Sequence, residues 1–361
     1  MKNTTVKNIG ILTSGGDAPG LNAAIRSLCI TAQKRFNANI IGFKDGYIGL
    51  ENNNFIDMKT LDFDSLINLG GTILGTSREK PFKNQTINPQ KKLYAVDSIK
   101  ETFKKNKLDV LVCLGGNGTN STASLLSKEG LPVIGLPKTI DNDIWGTDES
   151  FGFHSAIDIA SSGIEAIKTT ARSHHRVMVV EIMGHKAGWL GLYSGVTTNA
   201  DVILLPEIPY DIKKIGSYIL SRKANGHEYS IVVCAEGALS VEEAALSKKD
   251  FKRSRLEMTQ SISFRVAKEI EAETGLETRT SVLGYLQRGA TPSPYDILLA
   301  TQLGNATVDF IENGEFGVLV AVNNGKITGF PLDQVEGKVK NIPEDELMLQ
   351  TARDLGICFG D

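Results

Sequence analysis

Lys7-Asn8-Ile9-Gly10-Ile11-Leu12-Thr13-Ser14-Gly15-Gly16-Asp17-Ala18-Pro19-Gly20-Leu21-Asn22 decides the fold class. The run from Lys7 to Thr13 is apolar without alternation, as in a parallel strand covered on both faces. A glycine pair follows, and Pro19, with its fixed φ, precedes an apolar-periodic stretch that predicts a helix over Leu21–Gln33. Strand, glycine turn and helix together form the opening unit of a parallel α/β sheet. Adjacent glycines also let backbone N–H groups approach an anion at a helix N-terminus, so the same stretch suits phosphate.

The pattern recurs along the chain. Strands are predicted at Asn39–Phe43, Asp109–Leu114, Pro132–Leu136, Val177–Ile182, Val202–Leu205, Ser230–Ala235 and Gly317–Val322, with a helix over Ser121–Glu129. This alternation argues for three-layer α/β architecture. The Asn- and Lys-rich stretches 51–60 and 83–90 read as surface excursions, and no internal repeat stands out. A second glycine loop, Leu114-Gly115-Gly116-Asn117-Gly118-Thr119, precedes the helix at Ser121. A third strand end carries Pro137-Lys138-Thr139-Ile140-Asp141-Asn142-Asp143. Ligands of open α/β sheets gather at the carboxyl ends of strands, so the loops can face one crevice. Neither glycine loop is a Walker A motif, and neither has the GxGxxG fingerprint of a dinucleotide site. Two carboxylates two residues apart, beside a lysine and a threonine, suit phosphoryl transfer. One acid accepts a hydroxyl proton while the other helps organise a magnesium ion.

Bulk composition narrows the class. The 361 residues suggest two domains, and 41% hydrophobic with 22% charged residues is ordinary for a soluble globular chain. A net charge of −3 gives no basic balance for nucleic acid or an anionic membrane. The 36 glycines exceed an average usage of ~7% and cluster after apolar runs. Cys29, Cys113, Cys234 and Cys358 occur singly without metal-ligand spacing, as expected of buried thiols in a reducing compartment. No signal-peptide core and no apolar run of spanning length is seen, so a cytoplasmic location is expected.

Taken together, the three loops resemble the phosphofructokinase family, whose patterns GGDxxGxN, GGDGS/T and P(G/K)TIDND come in this order. The resemblance continues through Gly70-Gly71-Thr72-Ile73-Leu74-Gly75-Thr76-Ser77-Arg78, Ser173-His174-His175-Arg176, Met183-Gly184, Ala235-Glu236, Thr278-Arg279 and Leu283-Gly284-Tyr285-Leu286-Gln287-Arg288-Gly289. It spans roughly residues 8–310, and the tail beyond Asp333 matches poorly. It implies two Rossmann-like three-layer α/β domains with the active site in the cleft between them. The expected lobes are 1–152 plus 288–340 for nucleotide, and 153–287 plus 341–361 for sugar phosphate. The implied reaction is phosphoryl transfer from ATP to the 1-hydroxyl of fructose 6-phosphate, giving fructose 1,6-bisphosphate in glycolysis.

Carried over by position, Asp141 resembles the base, and Thr139 and Lys138 attend the transferring phosphoryl group. Gly15, Tyr47, Arg78, Gly116, Asn117, Gly118 and Thr119 resemble the nucleotide site, with Asn117 and Asp143 at the Mg²⁺. Arg176, Arg279 and Arg288 resemble sugar-phosphate ligands, where a planar guanidinium fork engages phosphate oxygens. Met183, Gly184, His185, Glu236 and Tyr285 complete the substrate set. In the bacterial pattern Arg176 and Arg279 reach across from a neighbouring subunit, which implies a homotetramer, or a homodimer, with shared active sites.

Several positions depart from the family. Asn117 replaces an aspartate, His185-Lys186 replaces an arginine and its neighbour, and Tyr285 replaces a common histidine. The first two motivate a catalytically impaired regulatory subunit as a rival reading, which the intact Asp141 and arginines oppose. Gly118 is the residue of ATP-using members, where pyrophosphate users carry aspartate, whereas Lys138 occurs in both; ATP is therefore the expected donor. The effector site of allosteric members is depleted of cations. Arg26 is followed one helical turn later by Ile30, Thr60 aligns with an arginine, Asn225-Gly226-His227 replaces a lysine-rich turn, and Lys168 remains.

Overall fold

Ile9, Ile11 and Leu12 are wholly buried in β1 (Asn8–Ser14), a strand flanked by partners on both sides. Full burial of each such side chain stabilises the fold by about 1.5–3 kcal/mol, which is why this run cannot stay at a surface. The computed structural model describes residues 6–83, 93–257, 259–289 and 291–361. Contacts divide the chain into two compact units, one of Met1–Ser155 with Arg288–Lys340 and the other of Ala156–Gln287 with Asn341–Asp361.

In the first unit β1 pairs in parallel with β2 (Asn39–Phe43). The short β3 (Phe55–Asp57) lies antiparallel on β2 and forms that edge. On the other side of β1 run β4 (Val110–Gly115) and then β5 (Val133–Pro137), both parallel. In the second unit β6 (Val177–Ile182) lies parallel between β8 (Ser230–Ala235) and β9 (Thr278–Val282), and β7 (Val202–Leu204) is the outer neighbour of β8. The first sheet is completed by β10 (Val318–Asn323), parallel to β5, and by β11 (Lys326–Pro331), antiparallel on β10. The mixed α/β architecture with buried parallel strands is the one expected.

Some details differ from the sequence reading. Stretch 51–60 is no mere excursion: it holds β3, and Met58 behind it is fully buried. Residues 84–90 of the other expected excursion lie outside the described residues. Strands β9 and β11 were not anticipated, because neither is a continuous apolar run; β11 is mostly exposed and pairs only along one edge. The expected Ser121–Glu129 helix spans Asn117–Lys128, so the second glycine loop is shorter than it reads. In the second unit the C-terminus closes the outer edge of the sheet. Ile203 donates to the Cys358 carbonyl at 2.9 Å and Asp211 to that of Gly360 at 2.8 Å, and Phe359 is buried.

Candidate active site

Ser14, Gly115 and Pro137 are neighbours in register at the carboxyl ends of β1, β4 and β5. Adjacent strands lie ~4.8 Å apart, so the three loops predicted from sequence leave the sheet side by side.

The first loop turns at Gly15, whose φ of +88° lies where a side chain would strain the backbone. Its N–H donates to the Ser77 carbonyl at 2.9 Å, and the Thr76 hydroxyl donates to the Gly15 carbonyl at 2.6 Å. This ties the Gly70–Arg78 stretch to the loop and leaves Arg78 exposed just beyond it. A Cβ on Gly16 would stand 3.0 Å from the Arg288 guanidinium carbon, so the glycine lets that side chain lie on the loop backbone.

In the second loop the helix begins directly after Gly116, and no side chain caps it. The N–H groups of Asn117, Gly118 and Thr119 therefore have no acceptor within the helix, which makes this end an anion cradle. Asn120 steadies it from below by donating to the carbonyls of Gly115 and Gly116 at 2.8 and 3.1 Å. Tyr47, expected at the nucleotide, is instead 1% exposed and donates its hydroxyl to the Thr119 carbonyl at 2.9 Å. Its aromatic bulk belongs to the core, so it supports the loop rather than offering a surface to a ligand.

The third loop is held by Ser150, whose hydroxyl donates to the Thr139 carbonyl at 2.9 Å and whose N–H donates to Asn142 Oδ1 at 3.1 Å. The Asp141 N–H donates to Thr139 Oγ1 at 3.1 Å, which fixes both residues in one turn. Lys138 is 3% exposed and donates to the Gly16 carbonyl, bridging the first and third loops. Burial, helped by the Arg288 charge and opposed by Asp141, Asp17 and Asp143, lowers its pKa to about 8.

Asn117 and Asp143 meet across the second and third loops. Asn117 Nδ2 donates to Asp143 Oδ2 at 2.8 Å and to the Asp143 carbonyl at 3.1 Å. Burial pushes the Asp143 carboxyl above its ordinary pKa, against the Asn117 hydrogen bond and the charges of Lys340 and Lys138. Asn117 Oδ1 is left buried without a hydrogen-bond partner. That orphaned oxygen beside a buried carboxylate fits a hard cation such as magnesium. Among the described residues no cluster of three or more His, Cys, Asp or Glu could enclose a metal alone. The fit is therefore to an ion that keeps waters and substrate phosphates among its ligands.

In the second unit the expected substrate residues separate into two groups. At the carboxyl ends of β6 and β8, the His185 N–H donates to Glu236 Oε1 at 2.7 Å, and the Met183 N–H donates to Gln287 Oε1 at 3.3 Å. Gly184 has a φ of +145°, and a Cβ there would stand 2.6 Å from the Ala187 carbonyl oxygen. Tyr285 and Lys186 are exposed. Arg176 and Arg279 lie at the opposite, amino end. Arg176 directly precedes β6, and Arg279 pairs in register with Met178. There both guanidinium groups bond one oxygen of Glu277, at 2.7 and 2.6 Å.

Sequence reasoning missed Asn120, Ser150, Glu277 and Lys340. Each acts through hydrogen bonds or ion pairs on backbone or on another side chain, and no local pattern marks such a role. Lys340 contacts carbonyls 192 and 193 positions away.

Comparisons with known proteins agree with the geometry. The sequence model of the family described as Phosphofructokinase matches residues 8–311. The chain is 51% identical over 364 residues to the ATP-dependent 6-phosphofructokinase of Spirochaeta thermophila, covering 100% of each. It is 47% identical over 352 residues to ATP-dependent 6-phosphofructokinase 3 of Bacteroides thetaiotaomicron, covering 98% of this chain and 99% of that one. Among solved structures, the phosphofructokinase of Pichia pastoris in the T-state aligns with a TM-score of 0.79 at 31% identity. That alignment covers 91% of this chain, which spans only 35% of the Pichia chain.

Proposed function

The chain belongs to the phosphofructokinase family, and we propose that it transfers the terminal phosphoryl group of ATP to the 1-hydroxyl of fructose 6-phosphate. The products are fructose 1,6-bisphosphate and ADP, as in glycolysis. The observation that carries this reading is the registered alignment of Ser14, Gly115 and Pro137, which sets an uncapped helix N-terminus beside the loop that carries Asp141, where Asn117 bonds Asp143.

Asp141 takes the proton of the sugar 1-hydroxyl as its oxygen attacks phosphorus, and the bond to ADP breaks with its electron pair leaving on the ADP oxygen. Thr139 and Lys138 sit beside the transferring group, where the lysine charge offsets phosphate charge. Gly15, Arg78 and the Gly116–Thr119 turn receive the nucleotide, and Arg288 faces the sugar phosphate. Met183, Gly184, His185, Glu236 and Tyr285 receive the sugar. Asn117 and Asp143 would hold Mg²⁺, which when bound neutralises charge on the donor phosphates.

The separation of Arg176 and Arg279 from Glu236 within one chain supports sites shared between subunits of a homotetramer, with a homodimer as the simpler alternative. A cytoplasmic setting suits substrates of this kind. Among the described residues no helix is long and apolar enough to cross a membrane.

Pyrophosphate is the competing donor, since Lys138 is compatible with either. A coupled assay with each donor decides between them, and we expect the kcat/KM for ATP to be the larger. In the same assay Asp141→Asn should lower kcat by about 10²–10⁴-fold with little change in the KM for sugar phosphate. Retained turnover in that variant rejects Asp141 as the base.

A further inference from the structure

The segment Leu332–Lys340 leaves the first sheet and runs over the elements that form the phosphoryl-transfer loops. Leu332 and Val335 are buried in one cluster with Ala123 and Leu126 of the Asn117–Lys128 helix. Glu336 accepts from Ser124 Oγ at 3.2 Å and from Lys128 Nζ at 2.6 Å on that same helix. Further on, the Lys338 ammonium stands 5.3 Å from the ring centre of Trp145, in the loop after Asp143.

Lys340 closes the connection. Its N–H donates to the Asp143 carbonyl at 2.8 Å. Its ammonium donates to the carbonyls of Thr147 and Asp148 at 3.1 and 2.6 Å. The Asp143 carbonyl is also the acceptor of Asn117 Nδ2. One peptide oxygen thus joins the strap, the third loop and the first residue of the helix after the second loop. Val322 grips the same loop from β10, exchanging bonds with Thr147 Oγ1 at 3.0 Å and Asp148 N at 2.8 Å.

We propose that Lys340 is a positioning residue for phosphoryl transfer, acting through Asp143 and the loop 143–148. A free loop of this length would sample many conformations, and fixing it costs entropy that the three hydrogen bonds offset. Misplacement by about 1 Å at such a centre lowers turnover by roughly 10²-fold. The proposal rests on the phosphofructokinase reading above. It lies outside the stretch matched by the family model, which ends at residue 311.

The test uses the full chain and three variants, Lys340→Met, Lys340→Gln and Lys340→Arg, assayed with ATP and fructose 6-phosphate. Wild-type turnover first establishes the reaction by itself. Lys340→Met should lower kcat about 10- to 100-fold, with the KM for fructose 6-phosphate within about twofold of wild type and a matching folded fraction by circular dichroism. Lys340→Arg, which keeps donors and charge, should recover most of the loss. Trp145 supplies a second readout in a Trp189→Phe background, where Lys340→Met should increase iodide quenching. A kcat for Lys340→Met within twofold of wild type overturns the proposal, as does a loss confined to the folded fraction. Should Lys340→Met fail to fold, Lys340→Gln decides by the same split between kcat and KM.

Discussion

Arg176 and Glu236 stand at opposite ends of one sheet: Arg176 precedes β6, whereas Glu236 follows β8, the parallel strand beside it. Six residues of strand separate those ends, about 20 Å at ~3.3 Å per residue. One sugar phosphate cannot bridge that distance within a single chain.

The proposed sharing of sites between subunits is supported by that separation and can be tested by complementation. Arg176→Ala and Asp141→Asn should each be nearly inactive alone. After dissociation and reassociation of an equal mixture, hybrids regain intact sites, and activity should recover to about a quarter of wild type. A mixture as inactive as its components shows that each site is built from one chain.

Donor choice should turn on Gly118. A Cβ there meets nothing within 4 Å, so Gly118→Asp fits the folded chain and its effect falls on the ligand. A carboxylate ~4 Å from a phosphate oxygen costs about 4 kcal/mol at an effective dielectric of 20, about 10³-fold in affinity. We expect kcat/KM for ATP to collapse on that scale with little change in Tm, while pyrophosphate becomes usable. ATP use at the wild-type level in this variant would show that the nucleotide passes elsewhere.

The pH profile should report Lys138, whose pKa is lowered to about 8 by burial. The ammonium is present below that pH and lost above it, so kcat/KM for ATP, which reads the free enzyme, should fall as pH rises through about 8. Phosphate in the complex restores the ammonium, and kcat should fall only at higher pH. Stability moves the other way. The unfolded lysine keeps its proton up to ~10.4, so between about pH 8 and 10.4 folding is favoured as pH rises. Lys138→Arg should remove the descending limb. A wild-type kcat/KM that stays flat from about pH 7 to 9.5 contradicts this assignment.

Regulation should be weak. Arg26 donates to the Phe63 carbonyl at 3.0 Å and pairs with Asp64 at 3.4 Å, and Lys168 donates to the Thr198 carbonyl at 2.7 Å. These cations are engaged within their own units, and Ile30 supplies none. Fructose 6-phosphate saturation should be near-hyperbolic, with little response to ADP or phosphoenolpyruvate at millimolar concentrations. A sigmoidal curve relieved by ADP would show that an effector site survives in another form.

Much of this protein was legible in its sequence because the signals are local. Unbroken Val, Ile and Leu runs of about five to seven residues bounded by turn signals read as strands with both faces covered, and glycine pairs after them mark turns where backbone can approach an anion. Asp141, Thr139 and Lys138 stand within four positions of one another, so their association needs no fold to declare it. Tertiary structure alone decided which strand ends are neighbours, since the register of Ser14 with Gly115 depends on pairing between segments about a hundred residues apart, and that of Gly115 with Pro137 on segments about twenty apart. It moved Tyr47 into the core, because a bulky ring beneath a loop is worth more buried than exposed. It parted Arg176 from Glu236, since a strand has two ends and sequence proximity does not say which one faces a ligand. It also brought Lys340 to Asp143, a contact of backbone and long-range packing that leaves no pattern in either segment.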